Sequence, residues 1–264
     1  ELQGVVVMVE VNIKTKQAQG FLSSFGSNVD DLKVTIKDGV MEASIAFQTH
    51  FFKKKRAIED FTALNPSQTK ADGVLNISEL TKVCQFIKSC KTDTIKLKQT
   101  GSGKTLYVIS GSSKLQLPVS ATIISSSKSH LVEKLLTASA EAQWESFNNS
   151  ELTTSGSVTI SDVLSVTKMK GILSANPSFK VTGNAGEKEF AISAGKTHEA
   201  RLFTTTELVD PIGPNASVQS HFGPWLMESL GLLTGASATV HMGESSPIIF
   251  RQNDDLLLVV DQRV

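Results

Sequence analysis

Residues 73–111 read GVLNISELTKVCQFIKSCKTDTIKLKQTGSGKTLYVISG, and their reading decides the fold. Inside them TGSGKT, residues 100–105, has the look of the close of a phosphate-binding loop. Such a loop needs a glycine five positions ahead of its second glycine, so that backbone N–H groups can wrap the phosphates. Here that position is Lys98. It also needs a helix after the lysine, whereas LYVIS is a β-branched and aromatic run, and DTIKLKQ ahead of it alternates like a strand. Two strands flanking a Gly-rich turn read as a hairpin, so the stretch is strand, helix, strand, turn, strand rather than a nucleotide site.

The same plan occurs four times. VEVNIKTKQAQGFLSSF (9–25) is followed by DDLKVTIKDGVMEASIAF (30–47), and GSVTISDVLSVTKMKGIL (156–173) by PSFKVTGNAGEKEFAIS (177–193). ASVQSHFGPWLMESLGLL (216–233) is followed by GASATVHMGESSPIIFR (235–251). Apolar residues recur at helical spacing within each: Ala18, Phe21, Leu22, Phe25; Ile77, Leu80, Cys84, Ile87; Val163, Val166, Met169, Leu173; Phe222, Trp225, Leu226, Leu233. Ser78, Ser161 and Ser220 stand where N-caps are expected. Turns fall at KDG, TGSGK, NAGEK and MGESS, where glycine admits positive φ. The units begin near Val11, Leu75, Val158 and Val218; the outer intervals are about 60 residues and the middle one about 20 longer. That spacing predicts two paired units, a connector and two more paired units: domains at 1–120 and 152–264, joined by 121–151. With two helices to roughly eight strands, each domain is expected to be α+β, both helices lying on one face of antiparallel sheet.

Bulk properties constrain partners little. The 264 residues carry 26 Lys+Arg and 26 Asp+Glu. Residues 1–125 are mildly basic, 16 against 11, and the remainder mildly acidic, 10 against 15. Cys84 and Cys90 fall in one expected helix on different faces and read as reduced core thiols, and the five histidines lack metal-ligand spacing. No cofactor and no catalytic constellation is expected. No apolar run reaches membrane-spanning length, and ELQGVVVMVEV has no basic flank, so it reads as a strand rather than a signal peptide; an intracellular protein is expected.

Opposite the apolar stripes stand Lys16 on the first helix, Lys82 with Gln85 and Ser89 on the second, and Lys168 on the third. Three helices sharing this feature suggest a surface for a polyanion without base-reading groups, since lysine suits phosphate as a point charge. The plain alternative is a solvated helix face. The fourth helix departs, carrying Pro224, Met227, Glu228 and Gly231 there, and FFKKKR (51–56) reads as a solvated run or an added phosphate contact.

With these units in view, the chain resembles the DNA polymerase sliding clamps of the two-domain type, proliferating cell nuclear antigen and the phage polymerase clamps. The resemblance is sharpest at 73–111 and next at 222–264. It implies a homotrimeric ring around duplex DNA, helices lining the hole and sheet forming the wall. It implies a non-enzymatic processivity factor, in a cell or a virus-infected one, that works with a DNA polymerase and a clamp loader ATPase. The DNA-binding residues it implies are Lys16, Lys82, Lys88 and Lys168, flanked by Lys14, Lys91 and Lys170. The implied seam joins TLYVIS (105–110) to EFAISA (189–194) of a neighbour, through Tyr107, Ile109, Phe190 and Ile192; the plain alternative is that both are internal strands. The implied partner pocket has Leu131, Val132, Leu135, Pro247, Val259 and Val260, with Ile45 and Phe47 as floor. A non-ring processivity subunit of the same fold, and a structural virion or adhesion module without a DNA role, remain as alternatives.

Overall fold

A computed structural model describes residues 9–26, 29–47, 49–66, 72–99, 103–119, 146–147, 150–173, 176–195, 201–253 and 255–262. The expected connector residues Leu131, Val132 and Leu135, and Trp144, lie outside them. The chain divides into two compact units, one of residues 1–45 and 53–127, the other of 46–52 and 128–264.

The first unit runs β1 (Val9–Lys14), α1 (Thr15–Leu22), β2 (Leu32–Lys37), β3 (Val40–Ala46), β4 (His50–Ala57), α2 (Phe61–Leu64), β5 (Gly73–Ile77), α3 (Leu80–Ser89), β6 (Thr94–Gln99), β7 (Thr105–Ser110) and β8 (Ser113–Pro118). The start of β4, up to Phe52, groups with the second unit. That unit opens with the short pair β9 (Ser146–Phe147) and β10 (Ser150–Glu151). It continues with β11 (Thr154–Thr159), α4 (Ile160–Val163), α5 (Ser165–Lys168), β12 (Phe179–Asn184), β13 (Glu189–Ala194), β14 (Leu202–Glu207) and β15 (Val209–Ile212). Last come β16 (Val218–Phe222), α6 (Trp225–Leu230), β17 (Ser237–Met242), β18 (Ile248–Gln252) and β19 (Leu256–Val260).

Each repeat ends in one strand beyond its hairpin: β4, β8, β14 and β19 complete a strand–helix–three-strand unit, in keeping with the roughly eight strands expected of each domain. The repeats of a pair interlock. β1 leaves its own repeat and heads the sheet β1-β6-β7-β8, while β5 joins β2, β3 and β4. Val11 faces Leu97 and Ile13 faces Ile95 in one exchange; Leu32 faces Ile77 and Val34 faces Leu75 in the other. The second unit repeats the exchange, β11 pairing with β17 and β16 with β12. A single repeat would leave its three-strand sheet without a fourth strand, so the pair is the smallest unit that closes.

Alternation drives each strand's choice of face. In β1 the inward residues Val9, Val11 and Ile13 are buried, with half-exposed residues between them. The helices close over this layer with Ala18, Phe21, Leu22 and Phe25 in the first unit and Val163, Val166 and Leu226 in the second. Burying each large apolar side chain is worth about 1.5–3 kcal/mol. Phe21 and Phe25 meet edge to face at 5.5 Å. α1 contacts α3, and α5 contacts α6, so each unit presents its two helices side by side.

The local chemistry departs from expectation in three ways. No described helix has a serine at its N-cap position. Ser161 lies inside α4, and α3 follows Glu79 in the left-handed region (φ 54°). Ser220 is a strand residue, fully buried; its Oγ donates to the Gly243 carbonyl (3.2 Å) and accepts from Ser246 N–H (2.9 Å). The third helix, expected to run unbroken, is split at Leu164. Ser165 Oγ bonds the Asp162 carbonyl (2.6 Å) and Thr167 Oγ1 the Leu164 carbonyl (2.7 Å), and such back-bonding competes with the helical ladder among β-branched neighbours. At NAGEK and MGESS the positive φ falls on Lys188 (54°) and Ser245 (48°), not on glycine. Gly243 is needed for space instead: a Cβ there would overlap the Glu151 carbonyl oxygen.

Candidate nucleic-acid interface

The exposed faces of α1 and α3 form one surface of the first unit. α1 shows Lys16, Gly20 and then Ser23 to solvent; α3 shows Thr81, Lys82, Gln85, Lys88 and Ser89. Neither helix contains an acid. Glu79, just ahead of α3, pairs with the Lys82 ammonium, which stays 63% exposed. Lys88 sits in the last turn of α3, where the helix carbonyls favour a cation, and Lys91 is exposed just beyond. The surface is cationic, solvated and without planar base-reading groups. It can meet phosphate without demanding a sequence.

Lys14 is different. It ends β1, and its ammonium lies 2.6 Å from Asp60 and 3.4 Å from Glu59, whose carboxylates raise its pKa. Its ammonium is shared between two carboxylates, and its side chain is 40% exposed against 63% for Lys82. In the second unit Lys168 is exposed at the end of α5. Lys170 lies in the single 3-10 turn that follows, and its side chain is outside the described residues. The other exposed charges on the second unit's helices are acids, Asp162 and Glu228, and α6 carries no cation. The cationic helix face therefore belongs mainly to the first unit.

The expected seam strands occupy the residue ranges read from sequence, but their position in the sheet differs. β7 is paired with β6 and β8, and β13 with β12 and β14. A strand bonded on both sides has no free ladder to offer a neighbour. Phe190 and Ile192 are core residues, Phe190 packing edge to face on the buried Phe250 at 6.2 Å. Tyr107 and Ile109 are half-buried, and Lys114 of β8 holds its Nζ 3.9 Å above the Tyr107 ring. The outer strands of these sheets are β1 and β8 in the first and β14 and β16 in the second; β8 and β14 are the ones next to β7 and β13. β14 leaves Phe203 67% exposed, and β15 leaves Ile212 72% exposed; nothing in the local sequence distinguishes these from inward residues.

Of the expected pocket, Phe47 is half-buried with its ring 4.4 Å from that of His50, and its N–H donates to the His50 carbonyl (2.8 Å). Ile45 is half-buried at the end of β3. Pro247, Val259 and Val260 are buried in the second unit, and all of β19 is buried, so these three offer no open apolar surface. His50 escaped the sequence reading; burial pulls its pKa down to about 4, and the imidazole is neutral at ordinary pH. Cys84 and Cys90 are free thiols, half-buried. Among the described residues no group of His, Cys, Asp or Glu could hold a metal ion, and no helix is long and apolar enough to cross a membrane.

No protein-family model matches the chain, and no curated protein matches it. Solved structures do. PCNA of A. fulgidus, solved with the C-terminal region of FEN-1 bound, superposes with a TM-score of 0.65 at 12% identity, over 97% of this chain and 98% of that one. PCNA of Entamoeba histolytica gives 0.68 at 13% identity, over 98% and 100%. The DNA polymerase sliding clamp of Bacillus subtilis gives 0.71 at 11% identity, over 100% of this chain and 66% of the longer bacterial one. Four interlocked repeats in two like units, matched from end to end by these structures, give this chain the fold of the sliding clamps.

Proposed function

We propose that the protein is a sliding clamp, a non-catalytic processivity factor that encircles duplex DNA and tethers a polymerase. The observation that carries the reading is the acid-free face of α1 and α3, bearing Lys16, Lys82 and Lys88 on the fold of known clamps. A ring holds DNA by topology, so a few screened lysines per subunit suffice, and tighter binding would impede sliding. Lys91 beyond α3 would add to this contact, and Lys168 and Lys170 would supply it on the second unit.

Two clamp units per chain, at 1–120 and 152–264 with 121–151 between, suit a homotrimer. The seam would join β8 of one copy to β14 of the next, since both are last strands of their repeats with a free ladder. Partner proteins would dock near Leu131, Val132, Leu135, Pro247, Val259 and Val260, with Ile45 and Phe47 as floor. That the A. fulgidus relative was solved with the C-terminal region of FEN-1 bound supports the docking of partner proteins as such. A clamp loader ATPase would open the ring on DNA in an intracellular setting, with a viral or phage source consistent with the resemblance.

The test replaces Lys16, Lys82 and Lys168 together with alanine. Duplex affinity should fall and its salt dependence flatten, the slope dropping by about one for each phosphate no longer neutralised, with assembly unchanged. An unaltered slope refutes the helix-face assignment.

A further inference from the structure

The basic run of β4 is divided by the strand's period of two. Lys53 and Lys55 point to one face, where both ammonium groups pair with Glu42 of β3 at 3.1 and 3.3 Å. Arg56 points to the other, toward α1. Its guanidinium Nη1 lies 3.5 Å from where a Cβ on Gly20 would stand, against the solvent-exposed side of that helix. Glycine in a helix interior costs about 0.5–1 kcal/mol relative to alanine. At Gly20 that cost leaves room: a side chain longer than alanine would displace the guanidinium.

The surrounding hydrogen bonds fix the main chain that follows Arg56. Gln17 of α1, 3% exposed, donates from Nε2 to the Ala57 carbonyl and accepts from Glu59 N–H at 3.1 Å. The β4–α2 turn is thereby tied to the flank of α1. Glu59 reaches back to Arg56 at 3.7 Å while also engaging Lys14. Lys14 holds the nearer carboxylate, Asp60, at 2.6 Å, so the longer Arg56–Glu59 pair is the looser of the two. The Arg56 side chain remains 41% exposed.

We propose that Arg56 is a phosphate-binding residue, a strand-borne cation set over Gly20 that widens the cationic face of α1 and α3. The proposal rests on the clamp reading above. The ligand is the phosphodiester backbone of duplex DNA. A guanidinium presents a planar fork that can hold two phosphate oxygens at once, which the helix lysines cannot. Arg56 would thus be a directed contact among point charges.

The test compares R56Q, E59Q and the double variant K82A/K88A on a mixed-sequence linear duplex, following affinity across a salt titration. R56Q should weaken binding and lower the salt slope by about one. E59Q removes the competing carboxylate and should tighten binding, most at low salt. K82A/K88A should lower the slope on its own. Thermal unfolding of each variant separates a structural role: if Arg56 serves only its ion pair, R56Q lowers the melting temperature and neither R56Q nor E59Q moves the slope. A flat response to R56Q beside a clear response to K82A/K88A overturns the role of Arg56 and leaves the clamp reading standing. A flat response to all three overturns both.

Discussion

Replacing Phe203 with aspartate should dissociate the proposed ring while leaving each subunit folded. Phe203 lies on β14, the outer strand of its sheet, opposite Ser193 of β13, with 67% of its surface exposed. A phenylalanine brings roughly 150–250 Å² to an interface, so about 130 Å² remains for a neighbour to cover. At about 25 cal/mol per Å² this is about 3 kcal/mol at each seam, on the order of a hundredfold in the seam's dissociation constant. Aspartate removes that area and adds a carboxylate that must be desolvated beside β8. Within the subunit the site is solvated, so folding should change by less than about 0.5 kcal/mol. Sedimentation velocity over a concentration series, with circular dichroism on the same samples, reads both quantities. A variant that keeps the parent's assembly curve would show that β14 is not the seam, and a parent protein sedimenting as a single subunit at micromolar concentration would remove the ring itself.

Two further outcomes follow from the interior. Burial pulls both His50 and His241 down to about 4, with Arg251 adding to the effect at His241. Above the unfolded pKa of about 6.5 both are neutral in either state, and they add no pH dependence. As pH falls from there toward 4, the unfolded chain takes up protons that the fold refuses, so stability declines; below 4 the decline ends. Full burial would cost about 3 kcal/mol per histidine, and the partial solvent contact of these two reduces it to about 1–2 each. Urea midpoints should therefore drop between about pH 7.5 and pH 5 in the parent and drop less in H50Q/H241Q; equal drops would refute the assignment. Gln17→Ala leaves the Ala57 carbonyl and Glu59 N–H without their partner and should cost about 2–3 kcal/mol in urea denaturation, with a normal unfolding slope. A loss under about 0.5 kcal/mol would show that water replaces the amide.

Strand identity was legible because it is local. Alternation in TLYVIS and EFAISA marks β7 and β13 to the residue. Sheet position was not, since SKLQLP of β8 and LFTTTE of β14 are polar enough to pass for loops, and edge strands are polar because one of their sides meets solvent. FFKKKR hid β4 for a related reason: its lysines are tolerated in a strand because Glu42, on the neighbouring β3, answers two of them. Of the candidate lysines, Lys16, Lys82 and Lys88 could be placed on a helix face by counting at about 100° per residue. Lys14 could not, because its partners Glu59 and Asp60 lie far along the chain and meet it only after the first repeat has folded back.

The missing serine caps have the same origin as the four-fold pattern. The first N–H of α1, at Thr15, donates to the Asp93 carbonyl (2.8 Å); that of α3, at Leu80, to Asp30 (2.9 Å); that of α4, at Ile160, to Ala236 (2.9 Å). Each acceptor stands just ahead of a strand of the other repeat in its pair: β6, β2 and β17. The strand that receives an exchanged neighbour is therefore preceded by the carbonyl that caps the helix following that neighbour. A donor that a side chain would ordinarily satisfy is satisfied by the partner repeat's main chain, which no residue type can signal. These three helices, α1, α3 and α4, are thus anchored at their starts by the exchange itself. The two helices of a unit are set side by side with their apolar faces committed, and their outward faces are free to carry Lys16, Lys82 and Lys88 at no cost to the fold. The interlock that makes the pair of repeats the folding unit is also what turns a cationic surface outward.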